Sequence, residues 1–285
     1  MNRFNYDTAF SRNIGWLSKA EQQSLRNKRI AIAGMGGVGG SHLLTLTRLG
    51  ISKFNIADFD SFELANFNRQ VGANMKTIGE PKTESLAEQA KQINPELDIK
   101  IFSSGVNREN LSDFLADADL YIDGLDFFVL DMRQAVFAKC NELSIPAITA
   151  APLGMGAAIL NFLPGKMSFE QYFRLKGYSP IQQQIRFLIG LAPAMIQRGY
   201  LVDSSRVDFL AKKGPSTPMA CEICAGVAAT EAAKILLNRG KVLSAPWGYQ
   251  FDAFSNKLKK TWRPWGNNNP IQKIAFMIAK KIILK

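Results

Sequence analysis

Three cysteines and one histidine are all that this sequence of 285 residues offers for thiol or soft-metal chemistry. Cys140, Cys221 and Cys224 are too few for a disulfide framework, and a reducing, cytoplasmic setting is expected. Long apolar runs are missing too. The most apolar central stretch, residues 187–196, is far shorter than the roughly 20 residues of a membrane span. Pro193 interrupts it, and Arg186 and Arg198 flank it. The first ten residues are polar and mixed, with no apolar run behind a basic start, so no secretory leader is expected. Acidic residues are scarce: 24 Asp and Glu stand against 35 Lys and Arg, a formal charge of +11. That imbalance favours an anionic partner, whether nucleotide, RNA, acidic protein or membrane surface.

What is present alternates between strand-like and helix-like patterns. Residues 18–27 read as a helix. Arg29–Ala33 is a short apolar run of the kind a buried parallel strand makes. Residues 34–40 break it. Leu43, Leu44, Leu46 and Leu49 then recur at helical spacing until Gly50, and Lys53–Ala57 reads as a second strand ending at Asp58. Helices over 81–94, 107–115 and 130–143 alternate with strands at 98–102, 120–122 and 147–150. The rhythm predicts an α/β protein with a Rossmann-like, doubly wound and mostly parallel sheet. It fails after Leu153, and Pro and Gly punctuate residues 162–218. A clean helical pattern returns over 221–237, and 247–262 alternates like strands with a break at Ser255 and Asn256.

Gly34-Met35-Gly36-Gly37-Val38-Gly39-Gly40 carries the spacing G-x-G-x-x-G directly after a strand and before a helix. Glycines let backbone approach a phosphate, and the helix N-terminus offers free N–H groups to it. Asp58 lies 24 positions after Gly34, where a carboxylate would hold a ribose hydroxyl. These features alone indicate an adenine nucleotide, with NAD the default. The residues that follow shift the reading: Asp58-Phe59-Asp60, Asn66-Phe67-Asn68-Arg69-Gln70, Lys82 and Asp123-Gly124-Leu125-Asp126. Hydride transfer has no use for cations aimed at a triphosphate. Attack of a carboxylate on an α-phosphate does, because charge develops on the phosphoryl oxygens and on the departing pyrophosphate. Asp126, just past a strand end, suits Mg²⁺ facing those phosphates.

Together these motifs resemble the ThiF/MoeB family of adenylyltransferases, relatives of the ubiquitin-activating enzymes. The resemblance runs from Arg12 to about Ala150. It implies that Gly34, Gly36, Gly37 and Gly39 line the phosphate turn and that Asp58 and Asp60 belong to the nucleotide site. It implies that Asn66, Arg69 and Lys82 reach the phosphates, that Gln70 supports the turn and that Asp126 holds the metal. Ser11-Arg12-Asn13-Ile14 resembles the family's N-terminal arginine segment, which implies a homodimer with Arg12 entering the partner's ATP site. The implied organisation is an ATP-binding adenylation domain over 1–155, a substrate-facing insert over 156–220, the rest of the adenylation fold over 221–266 and a basic amphipathic tail over 267–285.

The sequence departs from that pattern at three places. Phe127 follows Asp126 where the family often has Asn. The segment between Cys140 and Cys221 holds no cysteine, so no thioester is expected at the family's usual position. Only one Cys-x-x-Cys pair exists where the family's Zn²⁺ site has two. Cys221 and Cys224 therefore have three readings: a redox pair activated by a helix N-terminus, half of a metal site completed across a dimer, or small core residues. Cys140, beside Phe137, reads as core. His42 reads as a helix-surface or phosphate-adjacent residue before it reads as a base, since the attacking carboxylate is already ionised. The tail interleaves apolar residues with Lys273, Lys280, Lys281 and Lys285, a pattern suited to an anionic membrane, a partner protein, the chain's own dimer mate or RNA. The expected activity is ATP-dependent adenylation of a carboxylate, on a ubiquitin-like carrier protein or a peptide. Three alternatives remain: the family's tRNA-modifying dehydratase branch, a non-catalytic nucleotide-binding scaffold, and an NAD-dependent oxidoreductase.

Overall fold

The computed structural model describes residues 3–283. The chain opens with α1 (Tyr6–Ala9) and α2 (Lys19–Arg26). Ser18 caps α2 reciprocally: its hydroxyl accepts from the Glu21 N–H while the Glu21 carboxylate accepts from the Ser18 N–H. Four βα steps and a fifth strand follow: β1 (Arg29–Ala33), α3 (Gly37–Leu49), β2 (Lys53–Ala57), α4 (Lys82–Ile93), β3 (Asp98–Phe102), α5 (Leu111–Phe114), β4 (Leu120–Asp123), α6 (Leu130–Glu142) and β5 (Ala147–Leu153). All five residues of β1 are buried, because helices cover both faces of a parallel sheet. α3 stops where Gly50 turns into the left-handed region at φ 99°, a cap that costs glycine nothing.

The second half changes direction. β6 (Gly156–Phe162) runs antiparallel to β5 after a turn at Gly154, whose φ is 61°. The chain then leaves the sheet for α7 (Phe169–Phe173) and α8 (Pro180–Leu191), returns through α9 (Pro218–Leu236), and adds β7 (Trp247–Asp252) and β8 (Lys257–Trp262) before α10 (Pro270–Ile283). The sheet has eight strands in the order β3-β2-β1-β4-β5-β6-β7-β8. The first five are parallel and the last three antiparallel. Two cores flank it. One packs α3, α4 and α9 through Leu43, Leu46, Leu86 and Ala228. The other is aromatic, with Phe137 stacked on Phe169 at 4.5 Å and Phe173 beside Phe187 at 4.9 Å.

Three sequence expectations change here. Residues 156–162, assigned to the insert, form an interior strand buried at every position. Such a strand shows no polar alternation, so nothing in its pattern separates it from a buried loop or helix. The helix expected over 107–115 shrinks to a single turn at Leu111–Phe114. His42 lies inside α3 and is fully buried rather than on a surface. Neither of its ring nitrogens has a hydrogen-bond partner among the described residues.

Burial therefore pushes the His42 imidazolium down to a pKa of about 4 from its ordinary 6.5. Above pH 6.5 the ring is neutral in both states and carries no penalty. As pH falls below 6.5 the unfolded chain takes up a proton that the folded chain refuses, so stability falls until the folded ring protonates near pH 4. The loss over that window is on the order of 3 kcal/mol. His42→Leu should flatten the fall in Tm between pH 7 and pH 4.5. A variant with the wild-type slope would show that other groups govern acid stability.

Candidate active site

Every parallel strand ends at the same edge of the sheet, and the connections there build the site. Gly34 leaves β1 at φ 86°, and its amide donates to the Ala57 carbonyl at 2.7 Å. A side chain at Gly39 would overlap the Gly34 carbonyl oxygen, so the turn closes on itself and delivers the first N–H groups of α3 to open space. Gly36 faces that space: a Cβ there would find no atom nearer than the Gln70 amide at 3.7 Å. Gly124, after β4, supports the turn from the other side. A Cβ on it would strike the Ala33 carbonyl at 2.9 Å and the Gly39 Cα at 3.1 Å. Gly124 thus allows two loops to touch, a role that depends on contacts between distant residues.

Asp58 locks the turn. Its carboxylate accepts from the Met35 N–H at 2.5 Å and from the Asp60 N–H at 2.8 Å. A carboxylate has about four lone-pair sites, so two remain for a ribose hydroxyl. Lys82, at the first position of α4, is 7% exposed and pairs with Asp60 at 3.0 Å. A buried ammonium needs a counter-charge, and Asp60 supplies it rather than capping a turn through its side chain.

Asn66 ends a short 3₁₀ turn (Leu64–Asn66), and Arg69 and Gln70 lie in the turn that follows it, beside the glycines. The Asn66 side-chain oxygen accepts from the Glu63 N–H at 3.0 Å. The Arg69 stem lies alongside Gly37, 3.6 Å from where a Cβ would stand, and its guanidinium donates to the Ala65 carbonyl and to Asn68. Gln70 is buried, and its side-chain oxygen has no partner among the described residues. An orphaned buried acceptor against an open glycine turn fits a site that a polar ligand completes.

Asp126 stands exposed on the loop after β4, one oxygen accepting from the Phe128 N–H at 2.9 Å. Its other oxygen takes no hydrogen bond among the described residues. One free carboxylate beside a phosphate turn fits Mg²⁺, which is held by one or two carboxylates plus phosphate oxygens. The loop is fixed from below by a pair the sequence reading missed. Arg133 meets Asp123 at 2.7 Å with both side chains no more than 3% exposed. Its remaining N–H groups donate to the carbonyls of Leu125, Asp126, Phe127 and Val129. Thr149 donates to the same carboxylate at 2.9 Å. The available signal was Asp123 at a strand end with an arginine ten residues on.

Phe127, where the family often carries Asn, packs on Phe187 at 5.3 Å and on Phe209 at 6.4 Å. Phe209 belongs to residues 194–217, which cross in front of the site. This crossing segment is tied at one end by Tyr200, whose hydroxyl donates to Asp252 at 2.6 Å. At the other end Thr217 donates to the Gly154 carbonyl at 2.7 Å, and the Ser216 carbonyl accepts from Asn68 at 3.0 Å. The aromatic at 127 thus joins the Asp126 loop to the crossing segment.

Arg12 and the two cysteines stand apart from this arrangement. Arg12 lies in a 3₁₀ turn that Asn13 fastens to the Arg48 and Leu49 carbonyls, at the far end of α3. With 13 residues α3 is about 20 Å long, so Arg12 is remote from its own chain's glycine turn. Cys221 and Cys224 are buried in the core on the α9 side. Burial pushes both thiols up, which removes the activated-thiol reading, since loss of water outweighs the helix N-terminus. Among the described residues no three His, Cys, Asp or Glu side chains are placed to share an ion, so one chain supplies at most two of the four ligands that Zn²⁺ takes. Cys221 serves packing: its sulfur would stand 3.1 Å from a Cβ at Gly37.

The fold and the glycine turn define a doubly wound α/β protein with a phosphate-type turn at the switch in strand order. The chain matches the ThiF family over residues 10–271 and belongs to it. It is 34% identical over 149 residues to the tRNA threonylcarbamoyladenosine dehydratase of Haemophilus influenzae, covering 52% of this chain and 57% of that protein. It is 31% identical over 143 residues to the sulfur carrier protein ThiS adenylyltransferase of Escherichia coli, covering 50% and 56%. The chain thus spans little more than half the length of these curated relatives. E. coli MccB, solved with ATP, superposes with a TM-score of 0.66 at 20% identity over 89% of this chain and 70% of that one. The E. coli dehydratase TcdA superposes with a TM-score of 0.59 at 21% identity over 81% and 95%. At these identities the superpositions speak for the fold.

Proposed function

We propose that this protein binds ATP on the Gly34–Gly39 turn and transfers AMP to a carboxylate, which a ubiquitin-like carrier protein or a peptide presents at its C-terminus. The observation that carries the reading is the convergence, at one edge of the sheet, of an open glycine turn, Arg69 and Lys82, and a free carboxylate at Asp126. Asp58 accepts from the ribose. The α3 N-terminus and Arg69 hold the phosphates, and Lys82 turns to them from Asp60. Mg²⁺, held by Asp126, would neutralise the triphosphate. A carboxylate oxygen bonds to the α-phosphorus as the bond to the pyrophosphate oxygen breaks, leaving an acyl-adenylate. Arg12, remote from its own turn, would enter the site of a second protomer. No helix among the described residues is long and apolar enough to cross a membrane, and we place the reaction in the cytoplasm.

A second reading is adenylation of a carboxylate on modified tRNA. Two dehydratases of that type, from H. influenzae and Bacillus subtilis, are 34% and 31% identical to matching parts of this chain, and its charge is +11. Exchange of labelled pyrophosphate into ATP separates the readings. With Mg²⁺ it should depend on either Gly-Gly-ended carrier proteins and peptides or on tRNA. Asp126→Ala should lower it at least about a hundredfold, the scale for losing charge stabilisation at a transition state. ATP binding without exchange for any acceptor would favour a scaffold.

A further inference from the structure

The family match ends at Ile271, near the start of α10. One face of this helix is fastened inward. The Gln272 side-chain amide donates to the Ile189 carbonyl at 2.8 Å, and the Phe276 ring meets Tyr178 edge-on at 5.7 Å. The opposite side is apolar and bare. Ile271, Ile274, Ile278 and Ile282 recur every three or four residues and so form one stripe along the helix, each of them 54–61% exposed. The stripe rises about 17 Å from first to last. Lys273, Lys280 and Lys281 are exposed and make no ion pair among the described residues. From Ala253 to Ile283 the chain carries seven Lys and Arg and no Asp or Glu.

We propose that α10 lies flat on an anionic lipid surface, with the isoleucine stripe entering the boundary of the acyl chains and the lysines meeting lipid phosphates. An amphipathic helix with lysines beside its apolar face binds in this plane without spanning the bilayer. Charge selects the lipid surface over a second copy of the chain: pairing two such stripes would bring two sets of unpaired lysines together with no acid to separate them. It also favours a soft, flat anionic surface over a groove, because the stripe is a convex ridge.

The test is co-sedimentation of the full chain with vesicles of phosphatidylcholine, or of phosphatidylcholine mixed with phosphatidylglycerol. Binding to the mixed vesicles alone is expected, weakening as salt rises. Lys280→Glu/Lys281→Glu should reduce partitioning by more than about tenfold, from the attraction each lysine contributes near an anionic surface. Ile274→Asp/Ile278→Asp should abolish it while far-UV dichroism and Tm stay at wild-type values; these positions are exposed, so the fold does not depend on them. Three results would overturn the proposal. They are no binding to the mixed vesicles, binding that survives the double aspartate variant, or light scattering that shows a dimer lost in that variant.

Discussion

Gly39→Ala is expected to cost more than about 3 kcal/mol and to abolish nucleotide binding, whereas Gly36→Ala should abolish binding with a far smaller loss of stability. The added methyl at 39 overlaps the Gly34 carbonyl, whose oxygen and carbon are backbone that cannot step aside. Overpacking against movable side chains already costs about 1–3 kcal/mol, and here Gly124 holds the second wall. At Gly36 the nearest atom to a new Cβ is 3.7 Å away, so the apo fold has room. Its backbone, at φ −78° and ψ −140°, lies outside the broad β region and adds a cost of about 1 kcal/mol. The methyl would occupy the space left for phosphate. Thermal unfolding with and without ATP reads both effects. Equal destabilisation by the two variants would mean that Gly36 supports the turn and does not face a ligand.

Arg133→Met should cost about 3–5 kcal/mol, the scale for removing one partner from a buried ion pair. That is a large share of the roughly 5–15 kcal/mol by which a domain is stable. Asp123 would be left buried with only Thr149, Tyr121 and the Leu125 N–H as partners. The double variant Asp123→Leu/Arg133→Met should recover much of the stability, because apolar replacements of a buried pair are often neutral. It should not recover activity. The four carbonyls between Leu125 and Val129 would still lack the guanidinium that joins them, and the Asp126 loop would lose its position. Stability measured by denaturant and activity measured by exchange then separate. If the double variant regains both, Arg133 acts only as a stabilising pair.

The strand, turn and helix rhythm from Arg29 to Leu153 was legible because its signals are local: a β-run, a glycine break, a 3.6-residue period and a stop. The glycine turn, Asp58 and the loop bearing Arg69 were legible for the same reason. What escaped notice depends on contacts between distant residues. β6 is buried at every position and apolar but for Asn161, and its identity as a strand comes from β5 and β7 on either side. Arg133 looks like one more helix cation until Asp123 is found 2.7 Å away. His42 sits in a sequence that reads as surface, and only the packing around α3 removes it from water. The Cys221 and Cys224 motif suggested metal or redox chemistry by its spacing. Its burial against the glycine turn is a tertiary fact that spacing does not carry.

The most direct test of the account uses an acceptor that supports exchange, labelled with ¹⁸O in its carboxylate. It is incubated with this protein, ATP and Mg²⁺, and the adenylate is cleaved with hydroxylamine. Attack on the α-phosphorus moves one acceptor oxygen into the phosphate, so the account predicts AMP carrying one ¹⁸O and unlabelled pyrophosphate. Label in orthophosphate, with ADP as the other product, would place the attack on the γ-phosphorus and contradict it.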